Sequence, residues 1–344
     1  MMAMAALNDA MIPIEDLSQV FSDMTPLPQN DGSDRVCVIQ YPTAFALAYN
    51  YMRAIWQSKE MSQRALKLTA TCAKLNPANY TVWHYRRQCL KDLGLASNED
   101  AVRQDLALAA ALGGPNPKNY QIWYHRRALL ETHGVKELFC RLELDYIKDV
   151  LREDAKNYHA WSYRQWILEA VDDEELWKEE MDFASTLIDE DIRNNSAWNQ
   201  RWFVVHRGKQ DGKPLSMNEA RLEADFAIDK GISVDPYNES SCRYLLSILK
   251  EQLLEGEHDL AKKLVEEHEA KVSNLRLAFE KTNQDPGKCV NLTATWIDLL
   301  EMMGDKESLQ KAVSLAKGQA TEHDRIRTKY WLFRAKQLQN GIDE

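Results

Sequence analysis

Apolar residues recur along this chain at the spacing of amphipathic α-helices, one helix after another. In one stretch they follow at steps of three, four and three, which places them on a single helical face: Ala65, Leu68, Cys72 and Leu75. Similar stripes continue from about residue 42 towards the C-terminus, and glycines lie where several of them stop. The pattern therefore predicts an all-α chain.

The stripes come in pairs joined by short turns, as expected of helical hairpins. The predicted helices span residues 45–58, 62–75, 80–93, 99–112, 120–133, 136–152, 158–170, 174–189, 197–207, 217–230, 239–255, 259–281, 288–303, 306–320 and 324–339. They make about seven antiparallel hairpins, so we predict a single helical-hairpin repeat domain over residues 41–344. Residues 1–40 differ: they are predicted to form an acidic, extended and partly mobile N-terminal segment.

A short motif of Asn, Tyr, Trp and Arg recurs where the second helix of a pair begins. Its copies lie at residues 76–87, 116–127, 154–166 and 192–202, with a worn copy at 235–244. The aligned residues Trp83, Trp123, Trp161, Trp198 and Cys242 are 37 to 44 residues apart. A period of this size is typical of stacked helical hairpins.

Most positions of the motif have a structural interpretation. Asn before an apolar stripe is a preferred helix cap, because its side chain accepts a hydrogen bond from a free N–H of the first turn. Tyr120, Trp123 and Arg126 lie three residues apart and therefore share a face. An Arg in that position can stack on an aromatic ring while its guanidinium group binds a carboxylate on the neighbouring helix through two hydrogen bonds. We expect Trp and Arg to be scaffold residues.

The position just before the capping Asn is more informative, because it changes from copy to copy. It holds Lys118, Lys156 and Arg193 in three successive copies. These residues are predicted to line one rim, at the starts of parallel second helices, where free N–H groups and the helix dipole favour anions. The pattern indicates an anion site; solvated surface lysines are the alternative.

Net charge, apolar runs and cysteine spacing argue against several classes of function. The 344 residues carry a net charge of −10 with a pI of about 5.4, which argues against nucleic acid as a partner. The longest apolar run, residues 106–112, is too short for membrane insertion, and the apolar N-terminus lacks the basic residues of a signal peptide. The six cysteines show no paired spacing, as expected of reduced thiols in a cytoplasmic protein.

Complete catalytic machinery is missing from the sequence. The eight histidines are scattered, with no metal-ligand spacing, so no metal site is predicted. A glycine-rich phosphate loop and a nucleophile elbow are also absent. The chain is therefore expected to lend a few side chains to a site that another protein completes.

The repeated Asn-Tyr-x-x-Trp-x-x-Arg units closely resemble the α subunit shared by protein farnesyltransferase and protein geranylgeranyltransferase type I. The resemblance covers about residues 26–340 and is strongest at residues 27–32 and 154–161. It implies a right-handed, crescent-shaped superhelix of tetratricopeptide-like hairpins, an α-α solenoid, wrapped around a β subunit. The implied activity is transfer of a farnesyl or geranylgeranyl group from the isoprenoid diphosphate to the Cys of a C-terminal CaaX motif.

The same resemblance assigns roles to individual residues. It implies that Lys118 is catalytic and stabilises the diphosphate leaving group, and that Gln121 holds the terminal carboxylate of the substrate. Lys156, on the rim, is the rival candidate for the catalytic lysine. Gln121, which stands next to Tyr120 in the same copy as Lys118, favours Lys118. Further substrate-binding residues implied by the family are Tyr120, Asn157, Tyr158 and His159.

The expected cofactors belong to the complex and not to this chain. In the family the β subunit holds the catalytic zinc, whose bound thiolate attacks C1 of the isoprenoid, and magnesium is expected with the diphosphate. The chain is therefore expected to be inactive without its β subunit. The alternative is a non-catalytic tetratricopeptide-like adaptor; its usual repeat of about 34 residues is shorter than the spacing here.

Overall fold

The computed structural model describes residues 10–34, 36–114, 116–134, 137–208, 213–281 and 288–343. Within these ranges the chain forms sixteen α-helices and no strand: α1 (Leu17–Val20), α2 (Thr43–Ser58), α3 (Gln63–Leu75), α4 (Tyr80–Asp92), α5 (Glu99–Gly113), α6 (Tyr120–His133), α7 (Glu137–Glu153), α8 (Tyr158–Val171), α9 (Glu174–Glu190), α10 (Asn195–Arg207), α11 (Met217–Phe226), α12 (Glu239–Glu255), α13 (His258–Lys281), α14 (Val290–Met303), α15 (Lys306–Gly318) and α16 (Thr328–Asp343). The prediction of an all-α chain of helical hairpins is confirmed.

Most predicted helices agree with the observed ones to within a few residues. The last helix differs most, because it begins at Thr328 rather than at residue 324. The Asp324 carboxylate accepts hydrogen bonds from Trp331 Nε1, at 2.7 Å, and from Arg327 Nε, at 2.5 Å. These contacts hold Asp324 outside the helix, and residues Arg325–Arg327 between them form a short 3-10 turn.

The helices group into two compact units, Met1–Val171 and Asp172–Glu344, which are described separately. In the first unit, α3 pairs with α4, α5 with α6, and α7 with α8. The second unit holds four more pairs, from α9 with α10 to α15 with α16. The boundary between an N-terminal segment and a repeat domain at residue 40 stays a prediction.

The N-terminal stretch contains structure that the sequence pattern does not predict. Leu17 of α1 and Phe21 just after it are completely buried. The Ile12 backbone N–H donates to Thr71 Oγ1 of α3 at 3.0 Å, and the Thr71 hydroxyl donates to the Ile12 carbonyl at 2.8 Å. A four-residue helix is too short for its periodicity to stand out in the sequence, and it is recognised only in the structure, where it packs against α2.

The repeated Trp fixes the loop in front of its own helix. In each copy the indole Nε1 donates to the backbone carbonyl six residues earlier, at 2.7–3.0 Å: Trp83 to Pro77, Trp123 to Pro117, Trp161 to Ala155 and Trp198 to Ile192. A buried indole N–H needs such an acceptor. The predicted scaffold role of these tryptophans is confirmed.

The repeated Arg joins neighbouring hairpins. Arg126 of α6 donates from Nε and Nη2 to the two oxygens of Glu143 of α7, at 2.8 and 2.6 Å. Both side chains are almost fully buried, and Tyr163 of α8 donates to the same carboxylate at 2.9 Å. The contact between a repeated Arg and a carboxylate of the following helix, which the spacing predicts, is therefore present.

Similar clamps recur, in which a His or a Tyr joins the Arg on the carboxylate. In the first unit Asp105 binds Arg86 and His125. In the second unit Glu223 binds Arg201, in two-pronged geometry, and Tyr244. In each clamp, an Arg of one hairpin and a residue of the next hairpin meet on one buried carboxylate, which fixes the offset between successive hairpins.

Candidate functional site

The loops that lead into the second helices share one turn. Each loop begins with Asn or Asp, whose side-chain oxygen accepts from the backbone N–H two residues later, at 2.9–3.3 Å: Asn76, Asn116, Asp154, Asp191 and Asp235. The N–H that is bound belongs to the variable position before the capping Asn. The turn therefore fixes the backbone of Lys118, Lys156 and Arg193.

Lys118 lies on the surface at the start of α6. Its side chain is 71% exposed, and its Nζ lies 3.3 Å from Oδ2 of Asp154 in the next loop. In the second unit, Arg193 Nε makes the equivalent contact with Asp235 Oδ2, at 2.5 Å. In both loops, the cation before the capping Asn forms an ion pair with the carboxylate at the start of the following loop.

The capping asparagines support the helix ends that carry the candidate residues. Asn119 Oδ1 accepts from the Gln121 N–H at 2.9 Å, which caps α6. Asn157 Oδ1 accepts from the Ala160 N–H at 3.1 Å, and its Nδ2 donates to the Pro117 carbonyl at 3.3 Å. Asn157 is buried and so has a packing role as well as a cap role.

Three aromatic rings lie next to these caps. The rings of Tyr120 and His159 meet edge to face with centroids 4.2 Å apart, and Tyr158 lies 5.6 Å from the His159 ring. Tyr120 is 69% exposed and Tyr158 is 71% exposed. Partial burial lowers the pKa of His159, which favours its neutral form at neutral pH.

The structure thus brings Tyr120 and His159 together, and it links the Lys118 loop to the next loop through Asn157 and Asp154. The Gln121 side chain is half-buried and has no hydrogen-bond partner within the described ranges. Lys156 is exposed and forms no ion pair with the residues that the structure describes.

Sequence reasoning missed Asp154, the residue that contacts the Lys118 ammonium. One signal was available: the first loop position is Asn76 and Asn116 in the first two copies, but an Asp in the next three. Each Asp stands in the copy directly after one that carries a Lys or Arg before its cap.

The described residues do not fit a zinc site, since they contain no cluster of three His, Cys, Asp or Glu side chains that could hold a metal ion. The buried His125, for example, has both ring nitrogens in contact with protein groups, Asp105 Oδ2 and Arg87 Nη1. None of the helices in the described part of the chain is both long and apolar enough to cross a membrane.

Chemically, the start of α6 can bind an anion. It offers an exposed ammonium group, the positive end of a helix, and a tyrosine hydroxyl beside it. The neutral imidazole of His159, which contacts the Tyr120 ring, and the half-buried amide of Gln121 add further hydrogen-bonding groups. The arrangement can therefore position and stabilise negative charge.

Known proteins are similar to this chain in sequence and in fold. The signature of the protein prenyltransferase alpha subunit repeat matches residues 62–93, 102–133, 140–171 and 177–208. The protein farnesyltransferase/geranylgeranyltransferase type-1 subunit alpha of Dictyostelium discoideum is 34% identical over 97% of both chains. The corresponding Pisum sativum protein is 45% identical over 86 residues, a span of 25% of this chain and 26% of that protein.

A solved structure extends the likeness to three dimensions. Candida albicans protein geranylgeranyltransferase-I complexed with GGPP matches with a TM-score of 0.73 and 26% identity, covering 92% of this chain and 98% of that one.

Proposed function

Because this chain belongs to the family of protein farnesyltransferase/geranylgeranyltransferase type-1 α subunits, we propose that it forms one half of a heterodimeric CaaX prenyltransferase. The complex transfers a farnesyl or geranylgeranyl group from the isoprenoid diphosphate to the cysteine thiol of a C-terminal Cys-aliphatic-aliphatic-X sequence. The observation that carries this proposal is the likeness to the Dictyostelium discoideum protein over 97% of the chain.

A row of exposed tyrosines supports a partner protein on the first unit. Tyr80, Tyr120 and Tyr158 open α4, α6 and α8, and each is about 70% exposed. Tyrosine combines a large apolar ring with a hydrogen-bonding hydroxyl, and it is enriched in protein interfaces for that reason. The β subunit is proposed to pack on this row, next to Lys118.

Within the complex, Lys118 is proposed to bind the diphosphate. As the bond between C1 and oxygen breaks, negative charge grows on the leaving pyrophosphate, and a fixed ammonium group stabilises that charge more than it stabilises the bound substrate. Tyr120, Tyr158 and His159 lie in the first turns of α6 and α8 and provide hydrogen-bonding groups for the diphosphate and the peptide. Asn157 holds the preceding loops in place. Lys156 is a second cation on this rim.

Gln121 is proposed to hold the C-terminal carboxylate of the protein substrate. Its side-chain amide can donate two hydrogen bonds, and within the described ranges no protein group uses them. The zinc that would bind the substrate thiolate is proposed to belong to the β subunit, because the described residues of this chain offer no ligand set for it. Magnesium would accompany the diphosphate.

The test is to co-express this chain with the prenyltransferase β subunits of its source and isolate the complex. The complex is then supplied with labelled farnesyl or geranylgeranyl diphosphate and a peptide ending in Cys-aliphatic-aliphatic-X. We expect a stable heterodimer that labels the peptide, and no labelling by either chain alone. Formation of a heterodimer without transfer to any such peptide would favour the non-catalytic adaptor.

A further inference from the structure

The partner of Lys118 is held more firmly than Lys118 itself. Asp154 Oδ1 accepts from the Lys156 backbone N–H at 3.3 Å, and the Asn157 N–H donates to the Asp154 carbonyl at 3.0 Å. The Asp154 side chain is 30% exposed, against 71% for Lys118. The carboxylate therefore has a place set by its own loop, and the flexible Lys118 side chain reaches across to it.

The ion pair leaves the ammonium group available to a ligand. A lysine Nζ carries three N–H donors, and the ion pair with Asp154 Oδ2 at 3.3 Å occupies at most one of them. At least two donors are left for a diphosphate, which can approach Lys118 because its side chain is exposed. Because donors remain on Nζ, a diphosphate can bind Lys118 without Asp154 having to leave.

We propose that Asp154 is a positioning residue for Lys118: its carboxylate holds the ammonium group in one place at the start of α6 before the diphosphate arrives. This inference rests on the proposed function. A positioned charge needs little reorganisation as the leaving group develops its charge, whereas a free lysine must be ordered at that moment. Asp154 therefore acts on the chemical step through Lys118 and does not touch the substrate.

The second unit supplies a matched control. Arg193 and Asp235 make the same contact between consecutive loops, and Asp235 also binds a backbone N–H of its own loop, that of Tyr237. Asp235→Asn therefore removes an equivalent ion pair at a loop that the proposed site does not include. A purely structural role for such pairs predicts similar behaviour for Asp154→Asn and Asp235→Asn.

The experiment measures single-turnover transfer by the complete heterodimer, together with the dissociation constant of the isoprenoid diphosphate. Asp154→Asn is expected to slow transfer about two- to fivefold, the size expected from losing one solvent-exposed ion pair. Diphosphate binding should stay equal or tighten, because a negative charge near the anion has been removed. Asp235→Asn should leave both quantities unchanged, and Asp154→Glu should recover most of the rate.

A double-mutant cycle separates positioning from structure. If Asp154 acts through Lys118, then Asp154→Asn has no further effect on a complex that already carries Lys118→Ala. Equal slowing in both backgrounds, an unchanged rate for Asp154→Asn, or equal slowing by Asp235→Asn would each overturn the inference while the proposed function stands. A wild-type complex that transfers no isoprenoid would overturn both.

Discussion

The side-chain amide of Asn157 donates a hydrogen bond to the backbone carbonyl of Pro117, 3.3 Å away in the preceding loop. Its oxygen meanwhile caps α8 by accepting from the Ala160 N–H. One buried side chain thus begins a helix and fixes the loop that carries Lys118. The second unit contains the same link, from Asn238 to the Ile192 carbonyl at 2.6 Å.

Asn157→Asp separates these two tasks. Aspartate keeps the oxygen that caps the helix, but it replaces the N–H donor by a carboxylate oxygen that faces the Pro117 carbonyl. The carbonyl keeps its bond from Trp123, but the lost hydrogen bond and the repulsion between the two oxygens are expected to cost about 1–3 kcal/mol in the free energy of unfolding, measured by urea denaturation. Asn98→Asp is the control, because Asn98 caps α5 from an exposed position. An equal cost in both variants would contradict the role of the link.

Replacing two adjacent arginines is expected to lower the free energy of unfolding by very different amounts. Arg126→Met leaves the Glu143 carboxylate buried without its cation, which is expected to cost about 3–5 kcal/mol. Arg127→Met removes an exposed pair with Glu131 and a ring contact with Trp166, and should cost less than about 1.5 kcal/mol. Denaturation of the two variants side by side checks this. Similar costs would mean that the buried clamp does not hold the hairpins together.

The sequence predicts these clamps only in part. The spacing of Trp123 and Arg126 predicts that the guanidinium leaves its own helix towards a carboxylate of the next. It cannot choose Glu143, because that choice depends on how far α7 is shifted along α6. The helices themselves are well predicted, since their apolar stripes and asparagine caps are local signals.

The candidate site shows the same limit. Lys118 stands out in the sequence because it occupies a variable position of the repeat, whereas Tyr120 is implied by the resemblance to the family. Asp154 is 36 residues away from Lys118, and only the stacking of one hairpin on the next brings the two side chains to 3.3 Å. Local patterns therefore identify which loop carries a function, whereas the partners of a side chain depend on tertiary register.

His125 predicts a pH effect on stability. Burial lowers its pKa, and the opposing hydrogen bond to Asp105 does not compensate; Arg87 also donates to its second ring nitrogen. The folded chain therefore keeps His125 neutral while the unfolded chain takes up a proton near pH 6.5. The stability due to the neutral ring is present above pH 6.5 and is lost as the pH falls through the lower, folded pKa, by up to about 1.4 kcal/mol per pH unit.

His125→Gln tests this with a residue type that the fold already uses. At the equivalent position two hairpins later, Gln200 donates from Nε2 to Glu180 at 2.8 Å. The glutamine side chain of the variant would keep a donor for Asp105 but cannot titrate. We expect a flatter fall in the free energy of unfolding between pH 6.5 and 5 than in the wild type. The same slope in both proteins would assign the effect to other groups.

Zinc is expected in the heterodimer but not in the isolated α chain. The purified α chain is expected to contain no stoichiometric zinc, and the heterodimer about one zinc per complex, as measured by elemental analysis. The reason is that the described histidines, cysteines and carboxylates of this chain do not gather in groups of three. Zinc that remains with the isolated chain after dialysis would contradict this assignment.

Lys118 and Lys156 occupy the same position of consecutive repeats, and replacing each by Ala distinguishes them. In the heterodimer, Lys118→Ala is expected to slow single-turnover transfer about 100- to 1,000-fold, roughly 3–4 kcal/mol, because a fixed donor to the leaving group is lost. Lys156→Ala should slow it by less than about tenfold, since a second rim cation would contribute only general attraction for the diphosphate. Heterodimer formation should survive both changes, because neither lysine packs inside the chain and a lysine at the edge of an interface contributes little to affinity. The reverse order of the two effects would move the catalytic role to Lys156, and equal small effects would remove this rim from the chemical step.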